Sequence, residues 1–544
     1  MIYTKRHPAV LIIGVILLAL GYATQAGLFN GVVKFLGTGR LKPEMIHLSY
    51  VFGAVGVVIG LLKLLGPLRE GSLDYYRSAI GGALFILLIA MLVRWFLAPL
   101  VAVWSRAAGP IIGGQYIHSV FGLNYVVLGI MAGLIVVNVF GIPSWAQNGV
   151  RMSRLGLKTG VILLGTLYFL QEILHLGVAS FTLIGIFVLG SVGLVLLMAR
   201  MMAVSNSMGG VLSAGVGVCG VSAAVASAPV VQAKSAEIAY TIGTILLWGV
   251  GCMFIFPVIG KLLGMSNEAF GAWAGTGILN SAQVAGAALA YQPDGIEALK
   301  VAEIFNITRI LFLPLIVVWL ALWYVRRETV VGGPVPAGHS VGAMSVGAPK
   351  VDVWQVIVSK FPLFVIGFII MFLINLTGVF LPKGVTADNL WKGKYFDNKL
   401  KTERLLKDKD LAALRADLPK VKLPAQKAAV ERLIANKKVM SLGDVHALDG
   451  LSRAKVLSKD SAKAVKSASS AVLHSPKIIG WFRDWIVWLF AFGLTGLGMQ
   501  ITLASLKQAG GQPLVIGGVV GTIKAVGSLV FILIFARMLG LETL

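Results

Sequence analysis

The stretch SAGVGVCGVSAAVASAPVVQAK, Ser213 to Lys234, is apolar enough to lie in a membrane yet too rich in Gly, Ser and Pro for an unbroken spanning helix. Lipid offers no partner to free N–H and C=O groups, so non-helical backbone at membrane depth persists only where protein buries it or a watery cavity wets it. The stretch therefore predicts a helix interrupted inside the protein, and discontinuous helices near the bilayer midplane are where many secondary transporters hold their solutes. Gly215, Gly217 and Gly220 permit positive φ or close backbone approach. Ser213 and Ser222 bring hydroxyls, Cys219 brings a thiol, and Pro229 removes a donor from the helix behind it. The N–H groups that open a half-helix, together with its dipole, suit an anion. The competing reading is packing, because Gly and Ser also let membrane helices approach closely.

Composition sets the frame for that stretch. The chain has 544 residues, is 57% hydrophobic and only 13% charged, and its mean hydropathy is +0.87; soluble domains carry about 25% charged residues. This is the composition of an all-α polytopic membrane protein. The formal net charge is +24, but 21 of the 47 Lys and Arg lie between Lys383 and Lys477, against 10 Asp and Glu there. The basicity is local, which argues against nucleic acid as a partner. Cys219 and Cys252 both sit in apolar segments without a Cys-x-x-Cys or Cys/His cluster, so neither a disulfide framework nor a metal site is expected. The start, MIYTKRHPAVLIIGVILLALGYATQAG, is expected to be a retained signal anchor, since its apolar run is long enough to span and no clean small-x-small site follows.

Taking about 20 apolar residues per crossing, thirteen transmembrane candidates emerge: 8–29, 46–66, 78–104, 118–140, 155–176, 178–200, 207–230, 237–263, 270–291, 303–325, 355–381, 480–505 and 512–540. Arg151 and Arg154, and later Arg326, Arg327, Lys350 and Lys360, mark cytoplasmic loops, whereas Asp294 and Glu297 mark an outer one. The N-terminus is then cytoplasmic, although Lys34, Arg40 and Lys42 fall on the outer side. The expected organisation is extra N-terminal helices over 1–110, the first part of a transporter core over 111–330, a Gly-rich linker over 331–354, a core helix over 355–382, a basic helical insert over 383–477 and the C-terminal core helices over 478–544. The insert, with helical periodicity at Leu405 to Leu418 and Ala425 to Asn436, reads either as a solvated cap or as a docking surface for a partner or for anionic lipid.

A second Gly-rich segment, FGLTGLGMQIT at Phe492 to Thr502, carries Thr495, Gly496, Gly498 and Gln500. If the core begins at 118, ten spans remain, and the two Gly-rich segments become the fourth of each five. Two five-span repeats in one chain must be inverted, so the expectation is a 5+5 inverted-repeat core with two broken helices crossing. Thr276, Asn280 and Gln283, in AGTGILNSAQ, share one face at helical spacing and read as a cavity wall or as helix-to-helix hydrogen bonding. Arg309 reads as a fixed cation for an anion or as a snorkelling anchor; Lys158 and Lys234 read as interfacial anchors. Glu172, Glu237, Glu303 and Asp484 lie near predicted span ends, and no Walker loop, Gly-x-Ser-x-Gly elbow or His-Glu-x-x-His helix is present. An enzyme and an ATP-driven pump both lose support, and no cofactor is implied.

RLGLKTGVILLG (154–165), GVCGVSAAVASAPVVQAK (217–234), FGAWAGTGILNSAQVAGAA (270–288), ITRILFLPLIV (307–317) and LTGLGMQITL (494–503) together resemble the YeiH-type sulfate exporter family. The resemblance implies a secondary transporter related to the bile acid, arsenite and riboflavin transporter group, with an inverted-repeat helical fold. This chain departs from the pattern at Leu279 and Asn280, where the family carries His followed by an acid, which bears on proton coupling. The N-terminal spans and the insert lie outside the family core. The expectation is an inner (plasma) membrane carrier that exports a small anion, sulfate first, by alternating access. Its expected partners are that anion, the lipid bilayer, a second copy of the chain and a ligand for the insert. The competing class is a receptor or scaffold acting through 383–477.

Overall fold

A computed structural model describes residues 7–65, 72–112, 115–168, 170–293, 295–330, 362–377, 379–380, 405–421, 424–439, 444, 447–448, 451, 457–472, 477–508 and 510–535. The linker expected at 331–354, the start of the span expected at 355–381 and the first part of the insert fall outside them. The described chain is nearly all helix and divides into two bodies, one of 1–161, 177–364 and 487–544, the other of 162–176 and 365–486.

The first body opens with α1 (Ala9–Gln25), α2 (Asn30–Leu36) and α3 (Lys42–Leu65). A Cβ on Gly14 would lie 2.4 Å from the Val57 nitrogen and one on Gly60 2.5 Å from the Leu11 Cα, so α1 and α3 touch backbone to backbone along a stripe of glycines. Then come α4 (Ser72–Leu92), a π-turn at Val93–Leu97 and α5 (Ala98–Ala107). The turn lies just ahead of Pro99, which cannot supply a helix N–H. It leaves Arg94 Nε and Trp95 Nε1 each 3.1 Å from Glu44 Oε1. A short antiparallel ladder of β1 (Pro110–Ile112) and β2 (Gln115–Tyr116) and the single turn α6 (Ile117–Val120) lead to α7 (Tyr125–Ile135). Asn124 caps α7 by accepting from the Val126 and Val127 N–H groups.

The remaining helices are α8 (Gln147–Leu164), α9 (Leu170–Met201), α10 (Asn206–Gly217), α11 (Val221–Ser227), α12 (Ser235–Leu262), α13 (Asn267–Gly277), α14 (Ser281–Tyr291), α15 (Glu297–Leu311) and α16 (Leu313–Val330). α17 (Leu363–Leu376), most of which belongs to the second body, meets the turn at Gly165–Leu167 through Phe368, Met371 and Phe372, and Asn375 Nδ2 donates to the Tyr168 carbonyl at 3.1 Å. The insert contributes α18 (Asp408–Asp417), α19 (Pro424–Asn436) and α20 (Lys459–Val472), which bury a core of their own around Leu411, Leu414, Val430, Leu433, Leu448 and Val465. The chain closes with α21 (Lys477–Gly498), α22 (Leu503–Lys507) and α23 (Gly511–Phe535).

Six helices among the described residues are long and apolar enough to cross a membrane: Gly39–Leu65, Tyr75–Ala107, Leu176–Met201, Ser235–Leu262, Glu297–Arg327 and Gly511–Phe535. The pair α1–α2, bent by 84°, makes a seventh if taken as one span. The chain is thus a multi-pass membrane protein. The expected spans 207–230 and 270–291 are instead each divided near the middle into helices of 7 to 12 residues. None of these halves is long enough to span about 30 Å of hydrocarbon unaided.

Candidate functional site

The first division falls inside Ser213 to Lys234. Residues 208–220 are all buried. α10 stops at Gly217, Val218 takes φ −102° and ψ −99°, and Gly220 takes φ +79° and ψ −125° before α11 starts. That pair of angles lies outside the regions an L side chain is allowed, the small left-handed well included, so glycine at 220 is what the backbone demands. The turn leaves the Val216 and Gly217 carbonyls beyond the reach of helix N–H groups. Lys524 Nζ, from α23, takes both, at 3.1 and 2.9 Å.

The second division lies at Ile278, Leu279 and Asn280, with Ile278 and Asn280 in extended backbone (ψ 127° and 126°) between α13 and α14. It meets the first directly: a Cβ on Gly220 would lie 3.0 Å from Asn280 Cα and 3.1 Å from its Cβ. The C-terminal end of α13 also acquires a cation, since Arg309 Nη1 on α15 donates to the Ile278 carbonyl. Arg309 Nη2 donates to Asn306 Oδ1, and Asn306 Nδ2 donates to Glu303 Oε2, both at 3.0 Å. Spacings of three place Glu303, Asn306 and Arg309 on one face of α15. Arg309 is 0% and Lys524 1% exposed, and Arg309 lies close enough to Lys524 to act on it electrostatically.

Each divided helix thus has its negative C-terminal end met by a buried cation, while the restarting ends of α11 and α14 have no side-chain cap. Nearby polar atoms are also unspent. Arg309 Nε, both amide atoms of Gln283, Ser281 Oγ and Thr244 Oγ1 are buried without a hydrogen-bond partner in the protein. Buried polar atoms are rarely left so. The arrangement is one of excess donors and positive charge, suited to a small anion.

The other expected site residues are placed as follows. Ser213 and Thr276 turn their hydroxyls back on their own helices, to the Gly210 and Ala272 carbonyls at 2.8 Å. Gly215 and Gly217 are packing positions, where a Cβ would lie 2.3 Å from Ile245 Cδ1 and 2.4 Å from Val192 Cγ2. Cys219 is a buried free thiol, and Ser222 is exposed. Thr276, Asn280 and Gln283 do not share one helix face, because the division at 278–280 separates them; Gln283 lies against Gly249 of α12. Arg309 is buried and hydrogen-bonded, which corrects the anchor reading.

The segment 492–502 has neighbours other than the 213–220 division. A Cβ on Gly129 would lie 2.6 Å from Thr495 Oγ1, one on Gly496 2.3 Å from Ser153 Cβ, and one on Gly498 2.3 Å from the Ile130 carbonyl. Gln500 Nε2 donates at 2.8 Å to the Val150 carbonyl and to Ser153 Oγ. These contacts join α21 to α7 and α8.

Sequence reasoning passed over Lys524 and set Glu303 aside as lying near a span end. Lys524 had a usable signal: it is the only charged residue in α23 and stands at its middle. Among the described residues no group of three or more metal-ligating side chains occurs.

The family model described as conserved hypothetical protein 698 matches residues 81–390, and so begins within α4. A UPF0324 membrane protein of Nitratidesulfovibrio vulgaris is 32% identical over 472 residues, covering 86% of this chain and 98% of the relative. Because that alignment leaves only 14% of the chain uncovered, it takes in part of the N-terminal helices or of the insert. A second UPF0324 membrane protein of the same organism is 37% identical over 46% of this chain and 66% of its own length. One from Rhodopirellula baltica is 29% identical over 59% and 53%. No solved structure matches the chain.

Proposed function

Because the chain belongs to the UPF0324 membrane protein family, to which the match at 81–390 and the Nitratidesulfovibrio relative assign it, we propose that it is a secondary transporter of a small anion. Sulfate, or a related oxyanion or sulfonate, is the first substrate to test, as the resemblance to YeiH-type exporters suggests. The observation that carries this reading is the pair of buried cations, Arg309 and Lys524, set at two divided helices that touch at Gly220 and Asn280. Charge inside a membrane protein is costly and marks ion or substrate pathways, and divided helices supply the matching backbone donors.

In this reading the anion is held by the Arg309 guanidinium, the first-turn N–H groups of α14 and the unpartnered amide of Gln283. Thr495, Gly496, Gly498 and Gln500 serve to pack α21. Transport proceeds by alternating access across the inner or plasma membrane. With each divided pair counted as one crossing, the topology we propose keeps thirteen membrane segments and a cytoplasmic N-terminus. Labelled sulfate flux in reconstituted vesicles tests the function. Absence of flux, together with no thermal stabilisation by a panel of small anions, overturns it.

The insert favours a second, separable role as a docking unit, because its three helices bury their own core. Removing 405–472 distinguishes the two readings: a transporter keeps anion binding, whereas a scaffold loses its function.

A further inference from the structure

We propose that Lys524 is a tethered cation occupying the position that a free alkali ion takes in cation-coupled carriers, so that this protein has no vacancy for sodium or potassium at its divided helix. In transporters with discontinuous helices, unwound backbone carbonyls and the C-terminal ends of half-helices coordinate the coupling ion. Here that end is the Val216–Gly217 pair of carbonyls, and the group coordinated to it is the Lys524 ammonium, at 3.1 and 2.9 Å. The fit is specific. α10 ends at Gly217 because Val218 and Gly220 leave helical geometry, so these two carbonyls are the ones that lose their helical donors.

Lys524 reaches them from the middle of α23, where Gly517 and Gly521 lie on the same side of the helix and let it approach α12. A Cβ at these positions would lie 2.6 Å from Thr244 Cγ2 and 2.6 Å from Trp248 Nε1. Arg309 reinforces the exclusion. It lies close enough to act electrostatically on Lys524, so a mobile cation entering here would be repelled by the Arg309 guanidinium as well. The Glu303 carboxylate, whose hydrogen bond comes from Asn306, is held on α15 and adds no oxygen to the pair of carbonyls.

The occupancy can be read from stability without any transport assay, and only its meaning for coupling rests on the transporter reading. The full-length protein in detergent is melted in sodium, potassium or choline chloride at equal ionic strength, as wild type, K524A and K524R. Wild type and K524R are expected to melt at the same temperature in all three salts. K524A is expected to melt lower in choline and to regain at least about 2–4 °C in sodium or potassium, because the vacated carbonyls then accept the free ion. A wild type stabilised by an alkali ion over choline overturns the proposal, and so does a folded K524A indifferent to all three. Should K524A yield no folded protein, the wild-type comparison decides alone. Failure of anion flux with these melting results intact would refute the transporter reading and leave the tethered cation standing.

Discussion

Arg309 is hydrogen-bonded at both terminal nitrogens and has exchanged all of its water for protein, so its guanidinium is held in one orientation. Hydrogen bonds to charged groups are worth about 1.5–3 kcal/mol, so R309A is expected to raise the Kd for the bound anion about 10- to 150-fold. R309K keeps the charge and loses the planar fork, and is expected to recover only part of that loss. Calorimetric titration with sulfate measures both, and an unchanged affinity in R309A would remove the residue from the site. Gly220 is the other residue on which the site turns. G220A places a side chain at φ +79° and 3.0 Å from Asn280 Cα, at a cost of at least about 1–2 kcal/mol. The expected outcome is a lower melting temperature and weakened anion binding; a variant as stable as wild type would show that the two divisions separate readily.

The half-helices show which parts of the fold a sequence carries locally. The Gly, Ser and Pro content of 213–234 weakens helix propensity over a short window, so that division could be read from the residues themselves. The division at 278–280 lies in AGTGILNSAQ, which has Gly and Ser but no Pro, and its polar residues also fit a 3–4 spacing; that periodicity presupposes the continuous helix the chain does not form. Which elements meet is a different matter. Gly220 lies against Asn280, and 492–502 lies against α7 and α8, through contacts between residues far apart in the chain, to which no local pattern points. Gly249 makes a further test. Its missing side chain is where Gln283 sits, with Oε1 1.8 Å from the would-be Cβ, so G249A is expected to displace Gln283 and weaken anion binding without unfolding α12. In the insert, α18 ends at Asp417, whose carboxylate is held below the usual range by Lys420 Nζ at 2.7 Å, then by the Ser458 and Ser461 hydroxyls and the Ser458 N–H at 2.8 Å. A depressed carboxylate stabilises the folded state above its unfolded pKa of about 3.9, and that contribution fades as pH falls further. The insert is expected to weaken progressively below about pH 4, and D417N to flatten this acid limb while lowering stability at neutral pH, as urea unfolding of 405–472 at several pH values would record.

Taken whole, the molecule separates a membrane body that bears the charged, divided helices from a body whose insert has its own core. Deleting 405–472 is therefore expected to leave sulfate binding within about twofold of wild type. A tenfold loss would tie the insert to the substrate site. The ammonium group at Val216 and Gly217 has a consequence for energy supply. An ion that is part of the polypeptide neither enters with a substrate nor leaves with it, so in the proposed transporter no sodium gradient would act through that position. The electrical potential would still act on the substrate itself, about 2.3 kcal/mol per charge for each 100 mV. For a dianion leaving a cell that is negative inside, that is about 4.6 kcal/mol in the outward direction, enough to drive expulsion with no second gradient consumed.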